Sequence, residues 1–349
     1  MRSSSNLDIL RSLAVLAVFV SHITLCIGRL EPESYTFVEA IGRSGVILFF
    51  LHTSLVLMLS LDRTANEPAF ASQFYIRRAF RIYPLSILAV ATTFVLQLPP
   101  AAWSNSRYVA ISISQLLSNL FLVQNITHQP AVLGPLWSLP LEVQMYIVLP
   151  FLFLLVRSGN WRMRLLTCLG VAVVSAWIVW SLTGRLNLFA FIPCFLAGVM
   201  AFKRSGRPRT LPAWIWVVLI PALILSMAAL PFYERHFLQP ISICIEWAVV
   251  WTLGFSWPVF REVTWKPVVR AASQIAKYSY GIYLGHNYAL YIFFVLFKSS
   301  PAISTLLATI LSAVLAVSAY YLIENPFITF GKRVARLIGQ KAEPALAKA

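Results

Sequence analysis

Long apolar runs recur along the whole chain and limit what it can fold into. Ten of them are about 17 to 22 residues long, the length that a helix needs to cross a hydrocarbon core of about 30 Å. The 349 residues are 59% hydrophobic and 11% charged, whereas soluble domains are roughly 25% charged. An ordinary soluble enzyme is therefore excluded. Because helices satisfy their backbone polar groups internally, we expect an all-α, polytopic transmembrane helical bundle.

Ten spanning helices are predicted, together with one helix that does not cross. Segment 110–126 is moderately apolar but is interrupted by serine, asparagine and glutamine, so we expect a re-entrant or interfacial helix there, buried against protein. Residues 1–330 are predicted to form a transmembrane domain and 331–349 a short basic cytoplasmic tail. The predicted spans are 9–29, 42–61, 82–99, 139–156, 163–182, 187–202, 212–231, 240–260, 279–298 and 302–323.

The basic residues set the predicted orientation. Cytoplasmic loops carry an excess of Lys and Arg, and a cytoplasmic N-terminus puts 22 of the 28 such residues inside and leaves 6 outside. We therefore expect a multi-pass protein of the cell inner (plasma) membrane with both termini in the cytoplasm. The formal charge of +16 is spread over short loops and forms no single stripe, so it indicates topology in a lipid bilayer and no nucleic-acid partner.

The cysteines show no sign of a metal or redox site. Each stands alone in an apolar segment without metal-ligand spacing, and we interpret all four as small packed hydrophobes. They are Cys26, Cys168, Cys194 and Cys244. The first apolar run lacks a cleavage site and is followed by further spans, so we expect it to remain as an anchor.

The first predicted span carries two ionisable residues on one face. Arg11 and His22 are eleven residues apart, nearly three full turns, which puts them about 16 Å apart along a helix axis. An ionisable side chain inside a spanning helix costs free energy on insertion, so its presence indicates a functional role. Two plainer interpretations stay open: Arg11 as an anchor that snorkels to the head groups, and His22 as a packing residue with satisfied hydrogen bonds.

An arginine pair precedes the third predicted span, at its cytoplasmic start. Arg78 and Arg81 are three residues apart, so in a helix they share a face and can hold a polyanion with forked donors. A juxtamembrane basic patch that binds anionic lipid is an equal competitor on this spacing.

A carboxylate stands just inside the fourth predicted span, which is entered from outside. Glu142 follows Trp137 and precedes Tyr146. Desolvation makes a charged or hydrogen-bonding partner valuable to such a group, and His22 is a candidate because it lies in the outer half of its own span. For Trp137 an interfacial-belt role is the favoured plain interpretation.

Together these patterns resemble the acyltransferase 3 family of membrane acyltransferases, which O-acylate glycans and other acceptors. Arg11, ten residues and His22 match its first motif; Arg78 and Arg81 match its R-x-x-R motif; and Trp137-Ser138-Leu139 with Glu142 and Tyr146 matches its Trp-Ser-Leu-x-x-Glu-x-x-x-Tyr signature. Segments 279–286 and 324–326 resemble its closing motifs. The chain departs from the family at Ile47 and Val143, where other members often carry an acid.

The resemblance implies an O-acetyltransferase with a division of labour among these residues. His22 is expected to act as general base with Glu142 orienting it, and Arg11, Arg78 and Arg81 to bind the phosphates of cytoplasmic acetyl-CoA. Trp137, Tyr146 and His286 are expected to contact a carbohydrate or glycolipid acceptor, without a metal. Some members carry an extra extracellular domain and this sequence stops, so the chain is expected to act either alone or with a separate partner from the glycan biosynthesis machinery.

Other classes of function stay open on the sequence alone. Buried His, Glu and Arg also mark the pathways of transporters and flippases, although no paired broken helices indicate inverted repeats. A non-catalytic scaffold subunit is a second alternative. Among the weaker signals, His52 and Glu246 favour interhelical hydrogen bonding, and Glu324 is interpreted as an organiser of a terminus or loop.

Overall fold

The protein is described by a computed structural model over residues 4–28, 31–98, 110–157, 159–183, 188–234 and 239–346. Within these ranges the chain is helical, and its β pairing is limited to an isolated bridge between Leu211 and Phe260. The helices are α1 Ser5–Ile27, α2 Pro32–Thr64, α3 Phe70–Leu96, α4 Ile113–Leu120, α5 Leu139–Arg157, α6 Trp161–Thr183, α7 Leu188–Arg204, α8 Ala213–Glu234, α9 Gln239–Ser256, α10 Lys266–Leu290, α11 Pro301–Ala319 and α12 Asn325–Leu346.

Six helices in the described ranges are long and apolar enough to cross a membrane. They are Ser5–Ile27, Ser34–Thr64, Phe70–Leu96, Gly134–Arg157, Trp161–Leu182 and Pro301–Ala342. The all-helical membrane class is therefore confirmed, but the predicted count of ten spans is not. Two other apolar helices, Ala213–Ala229 and Ile243–Val259, are shorter, and α7 has 17 residues. A hydropathy scan finds apolar runs, but it does not measure how long each helix is.

Several helical boundaries differ from the predicted spans; α2 and α10 begin at Pro32 and Lys266, ten and thirteen residues before the predicted spans at 42–61 and 279–298. Helix α3 begins at Phe70, twelve residues before the predicted span at 82–99, because the helix continues through charged sequence where a hydropathy window stops. Segment 110–126 does contain a helix, α4, but it has eight residues. At 1.5 Å per residue it extends about 12 Å, too short to cross. Its first turn is capped by Ser112, whose Oγ accepts from the Gln115 backbone at 3.1 Å.

The chain divides into two compact units. Unit 1 comprises residues 1–58 and 152–279, and unit 2 comprises 59–151 and 280–349. In unit 1 the start of α1 is tied to the loop at 261–263 through Asn6, which is fully buried. Its side chain donates to the Arg261 carbonyl at 3.0 Å and accepts from the Val263 backbone at 3.1 Å. Farther along unit 1, Phe50 of α2 stacks on Phe195 of α7 at 4.6 Å between ring centroids.

In unit 2, α12 packs along the first half of α3. Phe80 lies between Phe330 and Phe327, with ring centroids 5.3 and 6.5 Å away. Helices α11 and α12 are joined by the π-helical turn Tyr320–Glu324, so no loop separates them. Helix α12 therefore runs through the predicted domain boundary between residues 330 and 331, which stays a prediction.

Candidate functional site

Arg11 is held inside unit 1 by side chains of neighbouring helices. Its Nε donates to Ser279 Oγ at 2.7 Å, and its guanidinium lies 5.9 Å from the centroid of the Phe49 ring. Ser279 is fully buried and begins one of the two closing motifs. Snorkelling to the head groups is therefore not the whole role of this arginine, because its donors face protein as well.

His22 lies on the same unbroken helix as Arg11. Helix α1 runs from Ser5 to Ile27 without interruption, so an eleven-residue separation leaves the two side chains about 20° apart around the axis and about 16 Å apart along it. His22 is half-buried. The shared face predicted from the spacing thus follows directly from the helix.

Glu142 is paired with a tyrosine of its own helix. It lies in the first turn of α5, where the positive end of the helix dipole stabilises a carboxylate. The Tyr146 hydroxyl, one turn later, donates to Glu142 Oε2 at 2.8 Å. Tyr146 is 7% exposed, so its ring has little surface to offer an acceptor; the stacking role predicted for it stays a prediction.

Unit 2 brings the arginine pair and the carboxylate together. Arg78 and Arg81 are both part-buried on α3, and both lie close enough for their charges to act on the Tyr146 hydroxyl, as does Glu142. Helix α3 begins at Phe70, so the pair lies well inside the helix and not at its start. Two motifs that are more than fifty residues apart therefore form one cluster of charge.

Two residues of the closing motifs join this cluster, and the sequence assigned neither of them a role in it. Tyr280 donates to the Ile82 carbonyl at 2.8 Å, and the charges of Glu324, Glu142 and Arg81 act on its hydroxyl. Glu324 is 2% exposed within the π-helical turn. It is thus a buried carboxylate at the junction of α11 and α12, and the role of terminus or loop organiser stays a prediction. Such turns occur frequently at functional sites, but the sequence shows only an acid before Asn-Pro.

The turn that leads into α5 is fixed by Tyr283. Its hydroxyl donates to the Pro135 carbonyl at 2.7 Å and lies 2.8 Å from Ser138 Oγ, which donates to it in turn. Ser138 is 2% exposed, whereas Trp137 beside it is 37% exposed. The buried serine anchors the first turn of the helix that carries Glu142, and the tryptophan beside it keeps part of its surface exposed.

His286 is buried in unit 2, one turn beyond Tyr283 on α10. It is 1% exposed, and its Nδ1 lies 2.9 Å from the Ile282 carbonyl. A carbonyl oxygen only accepts, so Nδ1 carries the proton in this bond. The predicted contact between His286 and an acceptor is not tested by this geometry.

The predicted site residues are divided between the two units. Arg11 and His22 belong to unit 1, and the other predicted residues belong to unit 2, so the pairing of His22 with Glu142 stays a prediction. One weaker prediction is confirmed within unit 1: Glu246 of α9 makes an interhelical ion pair with Arg43 of α2 at 2.9 Å. Among the described residues, no three His, Cys, Asp or Glu side chains gather as a metal site would require.

Comparison with known proteins identifies the family and several relatives of the chain. The acyltransferase domain family matches residues 4–323, nearly the whole chain. The chain is 26% identical to the peptidoglycan O-acetyltransferase OatA of Listeria monocytogenes over 91% of its own length and 53% of that protein. No solved structure matches the chain significantly.

Two other relatives match shorter stretches. An O-acetyl transferase of Shigella phage Sf6 is 26% identical over 56% of the chain and 59% of the phage protein. The Regulator of hypoxia-inducible factor 1 of Caenorhabditis elegans is 31% identical over 46% of the chain and 36% of the nematode protein. The chain thus spans about one third to three fifths of the length of these relatives.

Proposed function

The chain belongs to the acyltransferase 3 family, and from that premise we propose that it is an integral-membrane O-acetyltransferase. The group transferred is acetyl, from cytoplasmic acetyl-CoA to a hydroxyl of a cell-surface or exported glycan. One observation carries the proposal: the hydrogen-bonded pair of Glu142 and Tyr146, on which the charges of Arg78 and Arg81 act. Two permanent cations and a positioned carboxylate thus lie within electrostatic range of one hydroxyl.

The donor is bound through its phosphates in this proposal. Arg78 and Arg81 share one face of α3 and are part-buried, so each guanidinium can offer forked donors to phosphate oxygens where screening by water is reduced. Arg11 serves as a third phosphate ligand. The offset of about 16 Å between Arg11 and His22 is on the order of the reach of a pantetheine arm.

His22 acts as the general base in the transfer step. It takes the proton of the acceptor hydroxyl as that oxygen attacks the carbonyl carbon of the thioester. The carbon–sulfur bond then breaks, and the imidazolium returns its proton to the thiolate that leaves. Glu142, held by Tyr146, orients His22 and stabilises its charged form. Direct transfer is preferred, because no Ser or Cys stands in a recognisable nucleophile motif; an acyl-histidine intermediate is the alternative.

The acceptor and the topology complete the proposal. Trp137, with its exposed face, contacts the sugar together with Tyr146 and His286. The protein spans the inner (plasma) membrane ten times, with both termini in the cytoplasm and segment 110–126 re-entrant or interfacial. OatA is named a peptidoglycan O-acetyltransferase, so peptidoglycan is the first acceptor to test.

The test uses purified protein reconstituted in liposomes with radiolabelled acetyl-CoA and envelope glycans. Wild type is expected to label a glycan, His22→Ala to abolish turnover, and Arg78→Ala/Arg81→Ala to weaken donor binding. The matched control is His128→Ala, which removes an exposed histidine of unit 2 and is expected to keep full turnover. Movement of substrate across the bilayer without label transfer, unaffected by His22→Ala, would favour a transporter and contradict the proposal.

A further inference from the structure

A cavity of about 530 Å³ with a cationic lining, the cationic cavity, lies in unit 2, apart from the cluster around Glu142. It is formed where the end of α2, the connection after it and the beginning of α3 meet residues 332–340 of α12. Its volume falls within the range of about 300 to 1,000 Å³ that is typical of ligand pockets. The proposed function makes no use of this cavity, and neither Arg78 nor Arg81 lines it.

The charge of the lining is strongly positive. Arg63 comes from α2, Arg77 from α3, and Lys332 and Arg336 from successive turns of α12, whereas Glu67 supplies the one carboxylate of the lining. Like charges four residues apart on a helix destabilise it. Four cations around one cavity therefore favour a bound anion, and guanidinium groups match the geometry of phosphate oxygens in particular.

The base of the cavity is held in place by hydrogen bonds. Gln73 is 5% exposed; its Nε2 donates to the Pro68 carbonyl at 2.9 Å, and its Oε1 accepts from Arg77 Nη1 at 3.1 Å. Helix α12 comes so close at Gly339 that a Cβ there would lie 2.5 Å from Gln73 Nε2. Arg77 is thus oriented by the buried side chain of Gln73 before any ligand binds.

We propose that this cavity binds a phosphate group. Two sources share that chemistry: a phosphorylated nucleotide in solution and the head group of an anionic lipid. Helix α12 exposes apolar side chains beside its cationic face, with Leu337 57% and Phe330 54% exposed, as amphipathic helices at a membrane surface do. This binding is separate from the donor binding of the proposed function, because neither Arg78 nor Arg81 lines the cavity, and it is measured without acetyl transfer.

The experiment uses the full chain with two probes. Adenosine 3′,5′-bisphosphate is titrated calorimetrically into protein in phosphatidylcholine nanodiscs, and bound phosphatidylglycerol is counted by native mass spectrometry. The variant is Arg63→Gln/Arg336→Gln, and the matched control is Arg333→Gln, an exposed arginine of α12 outside the cavity. Because the variant loses charge-assisted hydrogen bonds, its affinity for at least one probe is expected to fall about tenfold or more. The affinity of the control is expected to stay unchanged.

Each outcome has a defined meaning. A loss confined to the bisphosphate assigns a nucleotide, a loss confined to phosphatidylglycerol assigns a lipid head group, and a loss of both assigns a phosphate site open to either. Failure of both probes to bind wild type, or equal binding by variant and wild type, overturns the proposal. If the double variant does not fold, Lys332→Gln is read by the same criteria. Acetyl transfer that persists without probe binding overturns the cavity proposal and leaves the acyltransferase proposal intact.

Discussion

The hydroxyl of Tyr146 donates a 2.8 Å hydrogen bond to Oε2 of Glu142, one turn earlier on α5. The tyrosine is buried, and Arg78 and Arg81 act on the same hydroxyl from α3. This hydrogen bond therefore restrains the carboxylate at Oε2. Because the group is planar, the direction of its other oxygen is fixed as well. This restraint gives Tyr146 a positioning role in the proposed mechanism that does not require contact with the acceptor.

Tyr146→Phe tests the restraint, because it removes the hydroxyl and keeps the ring. A hydrogen bond to a charged group contributes about 1.5 to 3 kcal/mol, so kcat for acetyl transfer is expected to fall about ten- to a hundredfold, with little change in the KM for the donor. The matched control is Tyr75→Phe, since that hydroxyl also reaches α5 but donates to the Ile147 carbonyl. Equal kcat values for Tyr146→Phe and wild type would contradict the positioning role.

Glu142→Gln tests the charge itself. The amide has the same size and can still accept from Tyr146, but it cannot stabilise an imidazolium. We expect kcat to fall at least about a hundredfold, in the range of general acid–base effects, while donor binding measured by calorimetry is retained. Glu39→Gln, an exposed carboxylate of α2, is the control and should leave kcat unchanged. Full turnover by Glu142→Gln would exclude the orienting role of this carboxylate.

Two glycines on one face of α10 give a matched test of helix packing in unit 2. A Cβ at Gly281 would lie 2.8 Å from the Ala316 Cα and 3.0 Å from its carbonyl oxygen, both backbone atoms of α11. Gly281→Ala should therefore destabilise the protein by about 1 to 3 kcal/mol, seen as a lower unfolding temperature in detergent.

Gly285→Ala, one turn later, is the control. Its nearest new neighbour is a Leu315 side-chain carbon at 3.5 Å, an ordinary contact. Alanine is favoured over glycine within a helix by about 0.5 to 1 kcal/mol, so this variant should be neutral or slightly more stable. If both variants unfold at the same temperature, close packing of α10 on α11 does not limit stability.

From the loop carboxylate Glu262 we predict that the folded protein is less stable in acid. Burial acts to raise its pKa, but hydrogen bonds from Ser4, Arg209, Asn6 and Ser5 outweigh that effect and hold the pKa below its ordinary value of 4.5. A carboxylate with a lowered pKa stabilises the fold above that ordinary value and loses its contribution as the pH falls through the lowered pKa.

Unfolding temperatures measured from pH 7 down to pH 3 check this expectation. Wild type should lose stability below about pH 4.5, whereas Glu262→Gln should start less stable at pH 7 and lose less on acidification. Ser4→Ala/Ser5→Ala removes two of the donors and should give an intermediate profile. Parallel profiles for wild type and Glu262→Gln would show that this carboxylate does not couple folding to pH.

The amino-acid sequence by itself determined the helical membrane class and the separation of Arg11 from His22 along α1. Both are local properties: span length follows from the bilayer thickness, and the separation of Arg11 from His22 on α1 follows from helical geometry. The ends of α3 and the number of spans did not follow, because a hydropathy window stops where charge begins, whereas backbone hydrogen bonds carry a helix through charged sequence.

Only the tertiary structure decided which polar groups meet. The bond between Tyr283 and Ser138 joins residues 145 positions apart, and Glu324 acts on Tyr280 from a π-helical turn that the sequence does not reveal. The cationic cavity likewise draws its arginines and lysine from α2, α3 and α12. Such meetings depend on how helices distant in the chain pack against one another. Periodicity and spacing along one helix show which residues share a face of that helix. They do not show which other helix packs against that face.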